Sequence, residues 1–280
     1  MLATFAIFIR EGIEASMIVA ILLAYLNQIE RRDLFKDVLI GVAAALAFAG
    51  IVGSIIYTTL KVYAGSRLQT QFETVTYLLA AAVMTYMTFW MTSHGKSISK
   101  DLKNQANEAM SRGARFGIAF TAAQAVGRES LEAMVFTLAI LFATSAHLAL
   151  VGAVAGLIVS LAIAVMIYRL GKKINIAKAF RYLGFALMIF AAGLLVDAIA
   201  NLQQLGYLPL LTKVMWNSTA LLNDQSTFGD IVHSFFGYSS TPTLLQGLTY
   251  VGYLGVVLSI FAKLTKGRKK AKSEVAGAAA

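Results

Sequence analysis

The chain has 280 residues, of which 58% are hydrophobic and 14% charged, with a formal net charge of +10. At a mean hydropathy of +0.71, a soluble domain of this size could not hide so much apolar surface, which selects the membrane class. The absence of cysteine excludes disulfides, thiolate metal sites and cysteine nucleophiles.

Seven stretches reach the roughly 20 mostly apolar residues that a spanning helix needs. The first, residues 2–28, carries Arg10, Glu11 and Glu14 near its middle. It lacks a basic leading region and is not expected to be a cleavable signal peptide. Spans two and three cover 37–60 and 72–92; Glu73 opens the third and Phe89-Trp90-Met91 closes it. Residues 97–115 are polar and are expected to form a cytoplasmic helix or loop. Spans four to six cover 116–143, 148–170 and 180–202; the fourth carries Arg128, Glu129 and Glu132, and Asp197 lies near the end of the sixth. Residues 203–244 form a long outer segment, and segments of this length are usually functional or contain short helices of their own. The seventh span covers 245–264. Residues 265–280 are a basic, then Ala-rich, cytoplasmic tail, expected to be disordered and lipid-facing. Strands are not expected, because the runs are too long and show no alternation.

The connecting segments predict orientation. Basic residues cluster between spans one and two (Arg31, Arg32, Lys36), and between three and four (Lys96, Lys100, Lys103, Arg112, Arg115). They recur around the connection of five and six (Arg169, Lys172, Lys173, Lys178, Arg181) and in the tail (Lys263, Lys266, Arg268 to Lys270, Lys272). The other side holds Lys61, Arg67 and Lys213. The positive-inside rule then places the N-terminus outside and the C-terminus in the cytoplasm, and favours an odd number of spans. Because the charge lies at these flanks, it does not indicate nucleic acid.

One pattern occurs twice. Arg10-Glu11-Gly12-Ile13-Glu14-Ala15 in the first span matches Arg128-Glu129-Ser130-Leu131-Glu132-Ala133 in the fourth. The second copy lies three spans after the first, so the two helices run in opposite directions. This predicts an inverted repeat, residues 1–95 against 116–202, with the seventh helix added, all within one transmembrane domain over 1–264. Such transporters hold their substrate near the midplane, where the repeats meet.

An ionisable side chain at that depth costs at least about 2.5–3.5 kcal/mol on insertion scales. These groups must therefore face the bundle interior, a partner charge or water. Residues at i and i+3 share a helix face, so Glu11 projects with Glu14 and Glu129 with Glu132. Two helices crossing there would converge four carboxylates, surroundings that suit a hard cation. Arg10 can meet Glu14, and Arg128 can meet Glu132, at i,i+4 spacing. All ionised, the six groups carry a formal charge of −2, which suits a multivalent cation; the arginines or protonation would then weaken binding for release. The plainer reading is that each motif is a buried salt bridge fixing helix packing. Two copies at equal depth favour the site over the packing device.

At these motifs the chain resembles the iron permease family defined by paired Arg-Glu-Gly-Leu-Glu motifs, which includes bacterial EfeU-type permeases and fungal oxidase-coupled high-affinity iron permeases. Ile13 replaces Leu in the first copy and Ser130 replaces Gly in the second; the charged positions are kept. Weaker similarities are the Glu73 segment, Phe89-Trp90-Met91, Ala191-Ala192-Gly193-Leu194 and Phe235-Phe236-Gly237-Tyr238. The resemblance implies a seven-helix permease of the bacterial plasma (inner) membrane, with Glu11, Glu14, Glu129 and Glu132 as translocation site. Iron would be transported substrate, not a fixed cofactor; hard carboxylates lean towards Fe3+, with Fe2+ also accepted. A periplasmic iron-binding protein and a haem peroxidase are the implied partners.

Glu73, Asp197, Asp224, Asp230 and His233 are candidates for an acidic entrance that concentrates cations, weighed against ordinary solvated loop residues. His94 and His147 are expected at the surface. Gly152 and Gly156 offer a small-residue face for close helix contact, and the dispersed methionines read as packing residues. Two other functions fit parts of the pattern. Midplane carboxylates also serve carriers of another cation such as manganese, or proton-coupled solute carriers. A glutamate-dependent intramembrane protease would need a second polar partner, and the spans bury no histidine, cysteine or asparagine beside the motifs, so an enzyme is not expected. A pure scaffold would be a costly use of buried charge.

Overall fold

The computed structural model describes residues 1–94, 98–111, 113–143, 146–170, 176–224 and 226–278. Of the basic topology signals, Lys96, Arg112, Lys172 and Lys173 lie outside the described residues, as does the side chain of His94. Among the described residues the regular structure is helical, with no strand beyond one isolated bridge between Val214 and Thr243.

The helices are α1 (Leu2–Gln28), α2 (Phe35–Val62), α3 (Arg67–His94), α4 (Ile98–Ser111), α5 (Ala114–Ala143), α6 (Ala146–Leu170), α7 (Ile176–Gln204), α8 (Thr227–Phe236) and α9 (Leu244–Ala278). Five of them, α2, α3, α6, α7 and α9, contain stretches long and apolar enough to cross a membrane. Helices α1 and α5 are as long, at 27 and 30 residues, but each carries an Arg-Glu-x-x-Glu motif that lowers its apolarity. Helix α9 continues to Ala278 through the tail expected to be disordered; that stretch is rich in Ala and Lys, strong helix formers.

Packing follows small residues. The most extensive pairings are α2 with α5, α1 with α6, and α3 with α7. Exchanging α1 with α5, α2 with α6 and α3 with α7 maps this set onto itself. Gly152 and Gly156 of α6 lie against Met1 to Ile9 of α1, while Gly12 lies against Ser160, so α1 and α6 run parallel. A Cβ on Gly156 would sit 2.8 Å from Phe8 Cβ, so only glycine permits this approach. The small-residue face is thus used within the chain. Likewise Gly41 meets Ala119, Gly127 meets Ala45 and Gly53 meets Met134, so α2 and α5 run parallel.

Two apolar clusters stack along the bundle. One joins Ala3 and Ile7 of α1 to Phe136 and Ile140 of α5, with Tyr77, Met84, Phe190 and Leu194. The other joins Leu22 and Leu26 of α1 to Ile118 and Ala122 of α5, with Leu34, Val38 and Leu102. Helices α1 and α5 therefore pass antiparallel, and their charged motifs fall between the clusters. Outward faces are apolar too: Leu39, Phe48 and Ile51 of α2 and Leu150, Ile158 and Leu161 of α6 are exposed. A soluble monomer rarely shows so much; a lipid-facing surface does.

Polar segments cap both ends. Residues 98–111, left open between helix and loop, form α4, whose Leu102 and Ala106 are buried under α1 and α5. The Tyr25 hydroxyl donates to Asn107 Oδ1. At the other end residues 213–218 run antiparallel to 240–244, with Ser218 N donating to Ser240 O at 2.8 Å. Helix α8 starts at Ser226, whose hydroxyl accepts from Gly229 N, and stops at Gly237 in the left-handed conformation (φ 65°). Gly237 lies on Gly193 of α7: a Cβ on Gly193 would come within 2.8 Å of Gly237 N.

Candidate functional site

The site is built from two helices that pass antiparallel between two apolar clusters. On α1, Arg10 is only 3% exposed and holds both acids of its own motif: Nη1 donates to Glu11 Oε1 at 2.8 Å and Nε lies 3.1 Å from Glu14 Oε1. The Glu14 pair follows from i,i+4 geometry. The Glu11 pair does not, since neighbours in sequence point apart on a helix; the long Arg10 side chain folds back to reach it.

On α5, Arg128 Nε donates to Glu132 Oε1 at 3.0 Å, again i,i+4. Here the arginine is 42% exposed. Its guanidinium lies 4.6 Å from the centre of the Trp90 ring and also touches Met87 Sδ. Glu129 does not pair with it. Equivalent arginines thus have different environments: Arg10 is enclosed by two carboxylates, and Arg128 is shared between one carboxylate and an aromatic face of α3.

Three carboxylates from the two helices converge. Glu11, Glu14 and Glu129 are all buried, and each offers an oxygen within 4.8 Å of the others. Glu132 flanks this group, held by Arg128. Glu11 Oε2, Glu129 Oε2 and Glu132 Oε2 are buried without a hydrogen-bond partner, while Glu14 Oε1 has its ion pair with Arg10 at 3.1 Å. Buried polar atoms are almost always satisfied, and an unpartnered buried carboxylate oxygen is costly. Three in one place call for a ligand that accepts their lone pairs. A cation coordinated by oxygen at about 2.0–2.2 Å would span opposed donors of up to about 4.4 Å, so small side-chain rotations close the observed spread.

The helix partners leave room for the motifs. Gly12 packs where a Cβ would overlap Ser160 Oγ. Its counterpart Ser130 is buried on α5 and donates to Val126 O at 2.8 Å, satisfying its hydroxyl within the helix. The departure at Ser130 therefore perturbs neither carboxylate.

The entrance candidates do not form one cluster. Asp197 of α7 and His233 of α8 come together, with His233 Nε2 3.7 Å from Asp197 Oδ1. Asp224 is occupied elsewhere, accepting from Ser240 N at 3.3 Å and Ser240 Oγ at 3.0 Å, a tie within residues 203–244. Asp230 lies in the first turn of α8. Glu73 is half-buried near the start of α3 and accepts from Gln69 Nε2 at 2.7 Å. His147 is exposed, as expected. Sequence reasoning missed two arrangements: the Trp90 face under Arg128, and the specific pairing of Asp197 with His233. Composition carries no signal for either.

Comparison with known proteins agrees in kind. Residues 1–267 match the iron permease FTR1 family. The ferrous iron permease EfeU of Yersinia pestis is 30% identical over 263 residues, covering 93% of this chain and 93% of that protein. The ferrous iron permease EfeU of Escherichia coli O157:H7 is 28% identical over 264 residues, covering 94% and 95%. No solved structure matches.

Proposed function

The chain belongs to the iron permease FTR1 family, and from that premise we propose that it carries iron across the bacterial plasma membrane, with Glu11, Glu14, Glu129 and Glu132 as the translocation ligands. The observation that carries this reading is the meeting of Glu11, Glu14 and Glu129 oxygens from two antiparallel helices within 4.8 Å. Iron is cargo, not a resident cofactor.

The reading extends to architecture. Helices α1 and α5 lie inside the bundle, against α6 and α2, and turn their charges inward. This supports counting them with the five apolar helices as seven spans in one domain over 1–264. The exchange symmetry of the packing supports an inverted repeat and, with it, alternating access around a fixed midplane site. The distribution of basic residues supports an outer N-terminus and a cytoplasmic C-terminus. The resemblance extends the reading to a periplasmic iron-binding protein and a haem peroxidase as partners.

Fe2+ is the cargo this reading favours over the Fe3+ suggested by hard carboxylates alone. Carboxylates accept both ions, and the relatives bear the name ferrous iron permease. A permeating ion must also leave. Arg10 already neutralises part of the charge on Glu11 and Glu14, which keeps binding moderate.

Uptake into liposomes tests the proposal, comparing Fe2+ under anaerobic reduction, Fe3+ citrate and Mn2+. Glu14→Gln and Glu132→Gln keep side-chain size and should reduce iron entry to the empty-liposome background. Undiminished uptake in both variants overturns the site; a preference for Mn2+ overturns the cargo.

A further inference from the structure

Outside the carboxylate cluster, the fold brings together a further pair of metal-type ligands, Asp197 on α7 and His233 on α8. Their meeting is built by backbone. Gly193 and Gly237 touch, so no side chain separates α7 from the end of α8. Asp197 lies four residues after Gly193, and His233 four residues before Gly237, so each side chain projects one turn from that contact towards the other.

The imidazole is oriented. His233 Nδ1 lies 2.7 Å from the carbonyl oxygen of Tyr238. A carbonyl only accepts, so Nδ1 carries a proton, and Nε2 is the ring atom left to face Asp197. Nε2 faces Asp197 Oδ1 at 3.7 Å, beyond hydrogen-bond range. The two atoms are held at a separation that a shared positive charge would bridge. A backbone carbonyl fixing Nδ1–H is the usual support of a metal-ligating histidine. The support is itself braced, because the Tyr238 hydroxyl donates to Leu222 O at 2.9 Å and pairs with Ser218 Oγ.

We infer that Asp197 and His233 form a second cation site, an outer capture point that binds a divalent transition ion before it reaches the glutamates. An ion about 2.0–2.2 Å from each ligand atom spans the 3.7 Å gap without moving either side chain. The His233 and Asp197 side chains are 26% and 14% exposed, so water completes the shell. Two protein ligands make a site that loads and unloads. Its chemistry differs from that of the inner cluster: imidazole with carboxylate suits Fe2+ better than hard Fe3+, so the outer site selects valence while the inner site conducts. The placement of this pair at the outer mouth rests on the topology proposed above; the binding chemistry does not.

Mn2+ serves as probe, bound to the full chain in lipid nanodiscs and read by electron spin-echo modulation from directly coordinated nitrogen. The chain has three histidines, so variants assign the signal. Nitrogen coupling is expected in wild type, is expected to persist in Glu14→Gln/Glu129→Gln, and is expected to vanish in His233→Gln. In His233→Gln the Mn2+ held by the inner carboxylates remains, which shows that the chain is folded. Iron uptake by that variant should show a KM raised about 10-fold, the lower end of typical losses at metal sites, with maximal rate within about twofold. Absence of nitrogen coupling in wild type, or its persistence in His233→Gln, overturns the outer site. Loss of Mn2+ from the inner cluster in wild type would instead overturn the translocation reading, so the two failures are distinct.

Discussion

At the scale of single residues, the two arginines are the informative pair. Arg10 is buried and bonded to two acids, so its removal leaves two unpaired carboxylates in an apolar interior. Breaking a buried pair this way costs about 3–5 kcal/mol. Arg128 is 42% exposed, and its partly open pair with Glu132 and its Trp90 stack are each worth about 0.5–1 kcal/mol. Arg10→Ala should therefore lower the unfolding midpoint in detergent severely, and Arg128→Ala mildly. Equal losses would show that both arginines sit in the same environment. The i,i+4 pairs, Arg10 with Glu14 and Arg128 with Glu132, were legible from spacing alone. The Glu11 contact and the Trp90 stack were not, because a rotamer and a neighbouring helix decide them.

At the scale of elements, glycine sets how closely helices approach. Gly12 leaves no room for a Cβ beside Ser160. Gly12→Ala should destabilise the α1–α6 contact by about 1–3 kcal/mol, typical of overpacking, and Ser160→Gly in the same chain should restore most of it, read by thermal unfolding. Absence of rescue would place the strain elsewhere. Gly237 combines φ 65° with direct contact on Gly193. Gly237→Ala should strain the backbone and lift α8 from α7, making residues 226–240 more sensitive to added protease while the apolar helices stay resistant. Except for the end of α9, which continues to Ala278 through the tail, the long helices were legible to within a few residues from hydropathy. Helix α8 was not separated from its long segment, because ten residues with a Ser cap and a Gly stop give a weak local signal.

At the scale of the whole molecule, the proposed inverted repeat makes a claim about sidedness. The chain has no cysteine, so single introduced thiols report without background. Thr219→Cys in the outer segment should react with a membrane-impermeant maleimide on intact cells. Lys100→Cys on α4 should react only after permeabilisation. The reverse pattern would invert the topology and dismantle the assignment of the capture site to the outer face.

The sequence by itself determined the class of this protein, the approximate extent of its long helices and the doubled Arg-Glu-x-x-Glu motif with both acids on one helix face. Composition and helical periodicity suffice for these, since each is local. Only the tertiary structure decided which faces meet: that Glu129 joins Glu11 and Glu14 while Glu132 stays with Arg128, that Arg10 is enclosed and Arg128 is not, and that His233 faces Asp197. Periodicity states which way a side chain points along its own helix. What it points at depends on close packing at Gly12, Gly156 and Gly193, residues far away in the chain that set the distance between helices.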